Sequence, residues 1–426
     1  MHAGNSWSHR FSLLFVIILI AVMGWYVYVG IYQILPKNNG DKTELSTLIG
    51  RERKGFPMPY PDRILSGNFQ KWMEEAAQEN FPFWDKLLPW YGETSRILSR
   101  YALAIFPKNW ISLYPVWGHT VALIQNGERI VYPPRYYLQS GREKLRMRAE
   151  YYNKLAAEHF HVRFYVFAIL LSQDWIALSD ICISPVADKL KGDKYVREFR
   201  SFLHPTIGFS MAGENLSMQE ATSLYYRTDH HLNMTGAYHI YRQIHRLFHE
   251  KNPAVGIAFK PKKWILLRDI MFYGSLARQA GAYDSISDVL FDGDFRTPSF
   301  KITISSTSAI ARNKKELYYK GIYPKGKFTN HYGEYFGRDY GLIEYISEKP
   351  GHDNLLVIGD SFDNCLEPLL AGHFHHSYFV DIRHYAGQVG EDFNLAAFIQ
   401  KHRITDVLFL GGEGLILDLS SLNENE

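Results

Sequence analysis

The sequence predicts an α/β protein built on an open parallel sheet flanked by helices, with an N-terminal transmembrane helix and an inserted region. Three observations predict it. Continuous apolar runs, "VRFYVFAILL" at 162–171, Leu355–Ile358 and "ITDVLFLGG" at 404–412, have the length and composition of strands buried on both faces. Segments of helical period, "KLRMRAEYYNKLAAEH" at 144–159 and "GAYHIYRQIHRLFHE" at 236–250, alternate with those runs, and a sheet of such strands is covered by helices on both sides. Finally, residues 11–36 carry no charged side chain.

That uncharged segment, "FSLLFVIILIAVMGWYVYVGI", is about as long as a helix needs to cross a bilayer. Trp25, Tyr26, Tyr28 and Tyr32 gather at its C-terminal end, as an interfacial aromatic belt does. A cleaved signal peptide would have a shorter apolar region and a small-residue cleavage site, so residues 1–36 are expected to form an uncleaved, single-pass membrane anchor. His9, Arg10 and the terminal amine favour a cytoplasmic N-terminus, although Arg51, Arg53 and Lys54 lie close on the other side. The soluble body is then expected outside the cytoplasm. Residues 37–60 read as a polar linker. Residues 61–250 form the first part of the main domain, starting with a helical stretch at 66–103 broken near Pro82. Residues 251–350, Gly- and Tyr-rich without a clean period, read as an insertion, and 351–420 as the second part of the domain.

Composition narrows the function. The chain has 426 residues, 46% hydrophobic and 21% charged, which is enough apolar material for a large core. A net charge of +3 without a sustained basic patch argues against a nucleic-acid partner. The aromatic content, 15%, fits either a thick core or stacking platforms for sugars. Cys182 and Cys365 have no metal-ligand spacing, and no metal or cofactor is expected.

Two stretches carry chemistry. At "DNLLVIGDSFDNCLEPLL", 353–370, a buried strand ends in Gly359-Asp360-Ser361 and an amphipathic segment follows. Ser361 is then either a helix N-cap or a nucleophile held above the sheet edge, with backbone N–H groups beside it. A nucleophilic serine needs a base. In "YYRTDHHLNMTGAYHIY", 225–241, Asp229 and His231 are two apart on a short segment expected to be extended, before a helix start at Thr235 or Gly236. Both side chains would then project to one side, and Asp229 could hold the His231 tautomer that leaves Nε2 open to a serine. Local capping in a loop is the alternative.

Together the two stretches resemble the SGNH-type serine esterases and acyltransferases: "GDSF" at 359–362 matches their nucleophile block and "DHH" at 229–231 their Asp-His block. The blocks come in reversed order, which is the circularly permuted order of the alginate O-acetylation proteins and the related DHHW proteins. "LSGNFQKWMEEAAQENFPFWDKLL" at 65–88, "YFGRDYG" at 335–341, "VDIRHY" at 380–385 and "ITDVLFLGGEG" at 404–414 also resemble segments of that family. The resemblance implies an SGNH hydrolase-like sheet, with Ser361 as nucleophile, His231 as general base and Asp229 as its orienting acid. His230 fills the spacer position and could compete as base. It further suggests Arg383 as an oxyanion donor or charged site residue, and it places Gly412 and Glu413 at the same sheet edge. The Asn of the wider superfamily is absent there. Trp84 stands where "FPFRD" would have Arg, and Leu232 stands where the DHHW pattern has Trp, removing an aromatic from beside the base.

The activity so implied is O-acetyl transfer to an extracytoplasmic polysaccharide through a serine acyl-enzyme, with a separate membrane protein as acyl donor. A carbohydrate O-deacetylase with the same triad, and a non-catalytic polysaccharide-binding scaffold, are the other readings. His373, His375 and His376 in "GHFHHSYF" read as a solvated loop rather than metal ligands. Asn215 and Asn233 begin glycosylation sequons by pattern only.

Overall fold

The computed structural model describes residues 112–116, 119–124, 129–132, 137–138, 142–175, 189–190, 192–280, 286–304, 307–318, 330–348 and 353–412. The chain divides into compact units Met1–Tyr91 and Gly92–Glu426, and every described residue lies in the second. The expected anchor at 1–36, the linker, the stretch at 65–88 with Trp84, Cys182 and Glu413 lie outside the described residues. No helix among the described residues is long and apolar enough to cross a membrane.

The main sheet has eight strands: β1 Arg163–Ile169, β2 Gly208–Met211, β3 Phe300–Ile304, β4 Thr307–Ala311, β5 Leu342–Ser347, β6 Asn354–Gly359, β7 His376–Val380 and β8 Asp406–Gly412. Their spatial order is β4-β3-β5-β7-β6-β8-β1-β2. Five strands, β7, β6, β8, β1 and β2, run parallel. β5, β3 and β4 extend that core in antiparallel fashion. The sheet is therefore mixed, where the sequence led us to expect a parallel one. The three antiparallel strands come from residues 300–347, inside the span read as an insertion, so part of that span is integral to the sheet. Short alternating strands such as β5, buried only at every second residue, give a far weaker sequence signal than the continuous runs of β1, β6 and β8. The same span also carries a two-stranded ribbon, Pro261–Phe272 with Asp288–Phe295.

Among the described residues the helices are α1 Arg142–Glu158, α2 Gly192–Phe202, α3 Met218–Ser223, α4 Met234–Lys251, α5 Ser275–Ala280, α6 Lys315–Tyr318, α7 His331–Phe336, α8 Glu367–Ala371, α9 Ile382–Val389 and α10 Leu395–His402. They cover both faces of the sheet. Val166 of β1 lies opposite Phe409 of β8. Phe409 meets Tyr152 of α1 with ring centroids 4.6 Å apart. The preceding residue of β1, Tyr165, points to the other face and meets Phe248 of α4 at 4.9 Å. Many of the aromatics among the described residues are thus core: Tyr152, Tyr165, Phe167, Tyr225, Tyr241, Phe248 and Tyr345 are all fully buried.

At the starts of the parallel strands, Arg163 donates from Nε and Nη2 to the buried Asp406 carboxylate (2.8 and 2.7 Å). Tyr165 Oη and Thr405 Oγ1 also donate to it. A two-point fork of this kind fixes the register of β1 against β8. His373 corrects the reading of 372–379 as a solvated loop. It is buried, with Nδ1 at 2.8 Å from the Val255 carbonyl and Nε2 at 2.7 Å from Tyr241 Oη. His376 lies in β7 against Glu344 (2.7 Å).

Candidate active site

The site forms at the C-terminal ends of the parallel strands, where ligands bind in open α/β sheets. β6 ends at Gly359, and Asp360 then joins it to its neighbour: Asp360 accepts from Phe362 N–H (3.1 Å) and from Gly412 N–H of β8 (3.0 Å). Burial raises the Asp360 carboxyl and these two donors oppose the shift. Ser361 and Phe362 follow in a turn. The helix expected straight after the serine starts only at Glu367, and its cap, Leu366, offers no side-chain bond. Ser361 is therefore not a helix cap. Its N–H takes no partner among the described residues.

The Asp-His segment arrives from between α3 and α4. A single antiparallel bridge, Tyr225 with Leu232, closes a tight bend at 227–231, so the segment is not the extended piece the sequence suggested. The two side chains converge for another reason. Asp229 Oδ1 accepts from the backbone N–H of His231 (3.0 Å) and from His231 Nδ1 (2.6 Å), an Asx-type turn that also orients the ring. Asp229 Oδ2 accepts from Ser275 N–H at the start of α5 (2.6 Å). Because the carboxylate can only accept, Nδ1 carries the proton and Nε2 is left with a lone pair. Nε2 sits 2.8 Å from Ser361 Oγ. Burial by itself would raise the Asp229 carboxyl. The charge and hydrogen bond of His231, with His230 and Arg278, hold it well below the usual carboxylate range.

The insertion braces this bend, which the sequence did not suggest. Thr228 N–H and Oγ1 both donate to Asp288 Oδ2 (2.8 and 2.6 Å). Gly274 N–H donates to Thr228 Oγ1 (3.0 Å). A Cβ on Gly274 would fall 2.3 Å from the Thr228 carbonyl and 2.4 Å from Asp229 Cβ, so only glycine lets the two segments approach this closely. At the other end, Asn233 caps α4 through Gly236 N–H (2.9 Å) and donates to the Ser223 and Tyr225 carbonyls. Its side chain is fully used, which leaves no amide for a glycan.

The other candidates sit as follows. His230 directs Nδ1 to Ser275 Oγ (2.9 Å), away from the serine, and is pulled down to about 3, first by burial and then by His231. Arg383 is forked onto Asp381 (Nε–Oδ1 2.9 Å, Nη2–Oδ2 2.5 Å) and reaches Asp339 at 3.4 Å. Its hydrogen bond to Asp381 raises its pKa further and keeps it cationic. The N–H of Gly412 is spent on Asp360, which leaves no Gly412 donor for an oxyanion. Leu232 is buried in the bridge, yet His231 does have an aromatic beside it: Tyr332 of α7 stacks on its ring. Asp229, His230 and His231 have ligand atoms close enough to surround a cation, as do Asp339, Asp381 and His384. In both sets the carboxylate already has a partner, His231 in one and Arg383 in the other.

Behind the Ser361 turn, Lys314 Nζ donates to Glu367 Oε1 (2.6 Å) and Asn364 Oδ1 (2.7 Å), and Tyr345 Oη donates to Glu367 Oε2 (2.8 Å). Lys314 and Glu367 are both fully buried. A paired, hydrogen-bonded charge in that position fixes the turn, since separating the partners would strand a charge in the core.

No protein-family model and no curated protein sequence matches the chain. Solved structures do. Bacillus cereus PatB1 with a sulfonyl adduct is 17% identical over 72% of this chain and 99% of its own, with a TM-score of 0.53. A DHHW family protein from Eubacterium siraeum is 17% identical over 72% of this chain and 95% of its own, with a TM-score of 0.52. The O-acetyltransferase domain of Pseudomonas putida AlgJ superposes more loosely, at 12% identity and a TM-score of 0.40. The resemblance read from "GDSF" and "DHH" thus has its counterpart in three dimensions, and the chain shares the fold of PatB1 and of the DHHW protein.

Proposed function

We propose that the chain is a serine-dependent O-acetyltransferase acting on hydroxyl groups of an extracytoplasmic polysaccharide. The observation that carries this is the 2.8 Å contact between His231 Nε2 and Ser361 Oγ, in series with the 2.6 Å contact between His231 Nδ1 and Asp229. In the first step Ser361 Oγ gives its proton to Nε2 and attacks the acyl carbonyl, and the protonated ring returns that proton to the leaving group. An acetyl ester on Ser361 results. A sugar hydroxyl then gives its proton to the same Nε2, attacks the ester and leaves acetylated, and the proton returns to Ser361. The Ser361 N–H, which has no partner among the described residues, is the donor for the oxyanion in both steps. Residues 1–36 would tether the body to the cell membrane, and a separate membrane protein would deliver the acetyl group. Water in place of the sugar hydroxyl would make the same site a deacetylase.

The test takes the full-length chain in detergent, as wild type and as Ser361→Ala, with an activated acetyl ester and with or without an oligosaccharide. Protein and sugar are weighed by mass spectrometry. Transfer predicts an acetyl adduct on wild type alone that moves to sugar when sugar is present. An adduct lost to water whether or not sugar is present would replace transfer by hydrolysis, and equal behaviour of the two proteins would leave a non-catalytic scaffold.

A further inference from the structure

The His231 ring is held between two others. His230 covers one face, with ring centroids 3.9 Å apart and planes inclined by 36°. Tyr332 lies against the ring with centroids 3.9 Å apart and planes within 9° of parallel. Tyr332 comes from α7, far along the chain, and its hydroxyl donates to the Ser361 carbonyl (3.2 Å). One side chain therefore touches the base through its face and the nucleophile through its tip. Phe336 and Tyr226 pack on Tyr332 with centroids 4.9 and 6.5 Å away, so the ring has little freedom to move. At 3% exposure it is no platform for a sugar. Burial raises its phenol well above the ordinary value, so the hydroxyl remains a donor.

We propose that Tyr332 is a positioning residue of the acyl transfer. Its ring face holds the imidazole with Nε2 on Ser361 Oγ and stabilises the imidazolium that forms whenever Ser361 or the acceptor gives up its proton, and its hydroxyl ties that arrangement to the nucleophile turn. The physical basis is the negative face of an aromatic ring against a cation that exists only part-way through each step. The inference rests on Ser361 being the nucleophile. Around the imidazole the titratable groups are Asp229, held ionised, and His230, held neutral, with Arg278 and Asp339 further out. Neither near neighbour changes charge across the mildly acidic to neutral range, which leaves the ring face as the variable.

The experiment follows sulfonylation of Ser361 by phenylmethylsulfonyl fluoride in the full-length protein. The Oγ–S bond forms, the S–F bond breaks, fluoride leaves, and the serine proton passes to His231 and then to solvent. Rates are taken against pH for wild type, Tyr332→Phe, Tyr332→Leu and a chain with pentafluorophenylalanine at position 332. The last keeps the shape of the ring and reverses its face, so a folding failure of Tyr332→Leu does not remove the test. Tyr332→Phe keeps the ring face and loses only the hydroxyl's bond to the Ser361 carbonyl, so it should slow about two- to tenfold with the same acid limb. Tyr332→Leu and the pentafluoro ring should react about 10- to 100-fold more slowly, with the acid limb moved to lower pH because the imidazolium has lost its partner. Unchanged rates and acid limbs in both, with wild-type circular dichroism, would overturn the role of Tyr332 and leave Ser361 as nucleophile. Absence of any adduct on wild-type Ser361 would remove both.

Discussion

Asp229→Asn tests the proposed triad at its most buried member. Asn keeps one oxygen, which can accept from either the Ser275 N–H or the His231 N–H, and the Thr228–Asp288 bonds are untouched, so the bend at 227–231 should hold. What it loses is the charge facing Nδ1. At 2.6 Å and an effective dielectric of about 20, a carboxylate and an imidazolium attract by about 6 kcal/mol. The amide dipole recovers part of this. Its NH2 can also turn toward Nδ1, which forces the proton onto Nε2 and closes the ring to Ser361. At about 1.4 kcal/mol per decade, acylation of Ser361 should slow about 10^3- to 10^4-fold. The assay is the initial rate of acetyl-Ser361 formation from p-nitrophenyl acetate near neutral pH, followed by mass spectrometry, with circular dichroism as a check on folding. A loss smaller than about tenfold in a folded variant would refute the assignment of Asp229 as the group that orients and charges the base.

Two further outcomes concern stability. His230 has a folded value of about 3 against about 6.5 unfolded, so between these values the unfolded chain binds a proton that the folded one does not. Stability should therefore fall as pH drops through that window, by about 2 kcal/mol at pH 5, and His230→Gln should remove this part of the slope in urea unfolding; identical slopes would contradict the burial of a neutral His230. Lys314→Met leaves the Glu367 carboxylate and Asn364 without their buried cation and should cost about 3–5 kcal/mol in denaturant unfolding, and a cost under about 1 kcal/mol would show that Glu367 is stable without it.

Much of the fold was legible in the sequence. The run at 162–171 contains β1, the run at 404–412 contains β8, and the segments at 144–159 and 236–250 match α1 and α4 within two residues. These elements are long or buried on both faces, so their pattern survives in one dimension. The members of the proposed triad were legible as residue types at a short spacing, Asp229 and His231, and at a strand end, Ser361. Sequence by itself narrowed which side chains could do the chemistry, because only a few residue types, Ser, His and Asp among them, can act as nucleophile, base or orienting acid wherever they lie. Only the tertiary structure decided their geometry. It put Nε2 2.8 Å from Oγ across 130 residues, used Gly412 N–H to fasten Asp360, and made the 251–350 span both an edge of the sheet and the brace behind Thr228. It also brought Tyr332 onto the base in place of the aromatic that Leu232 lacks. Contacts of that range depend on how separate elements pack, and packing leaves no periodic trace in the residues that take part in it.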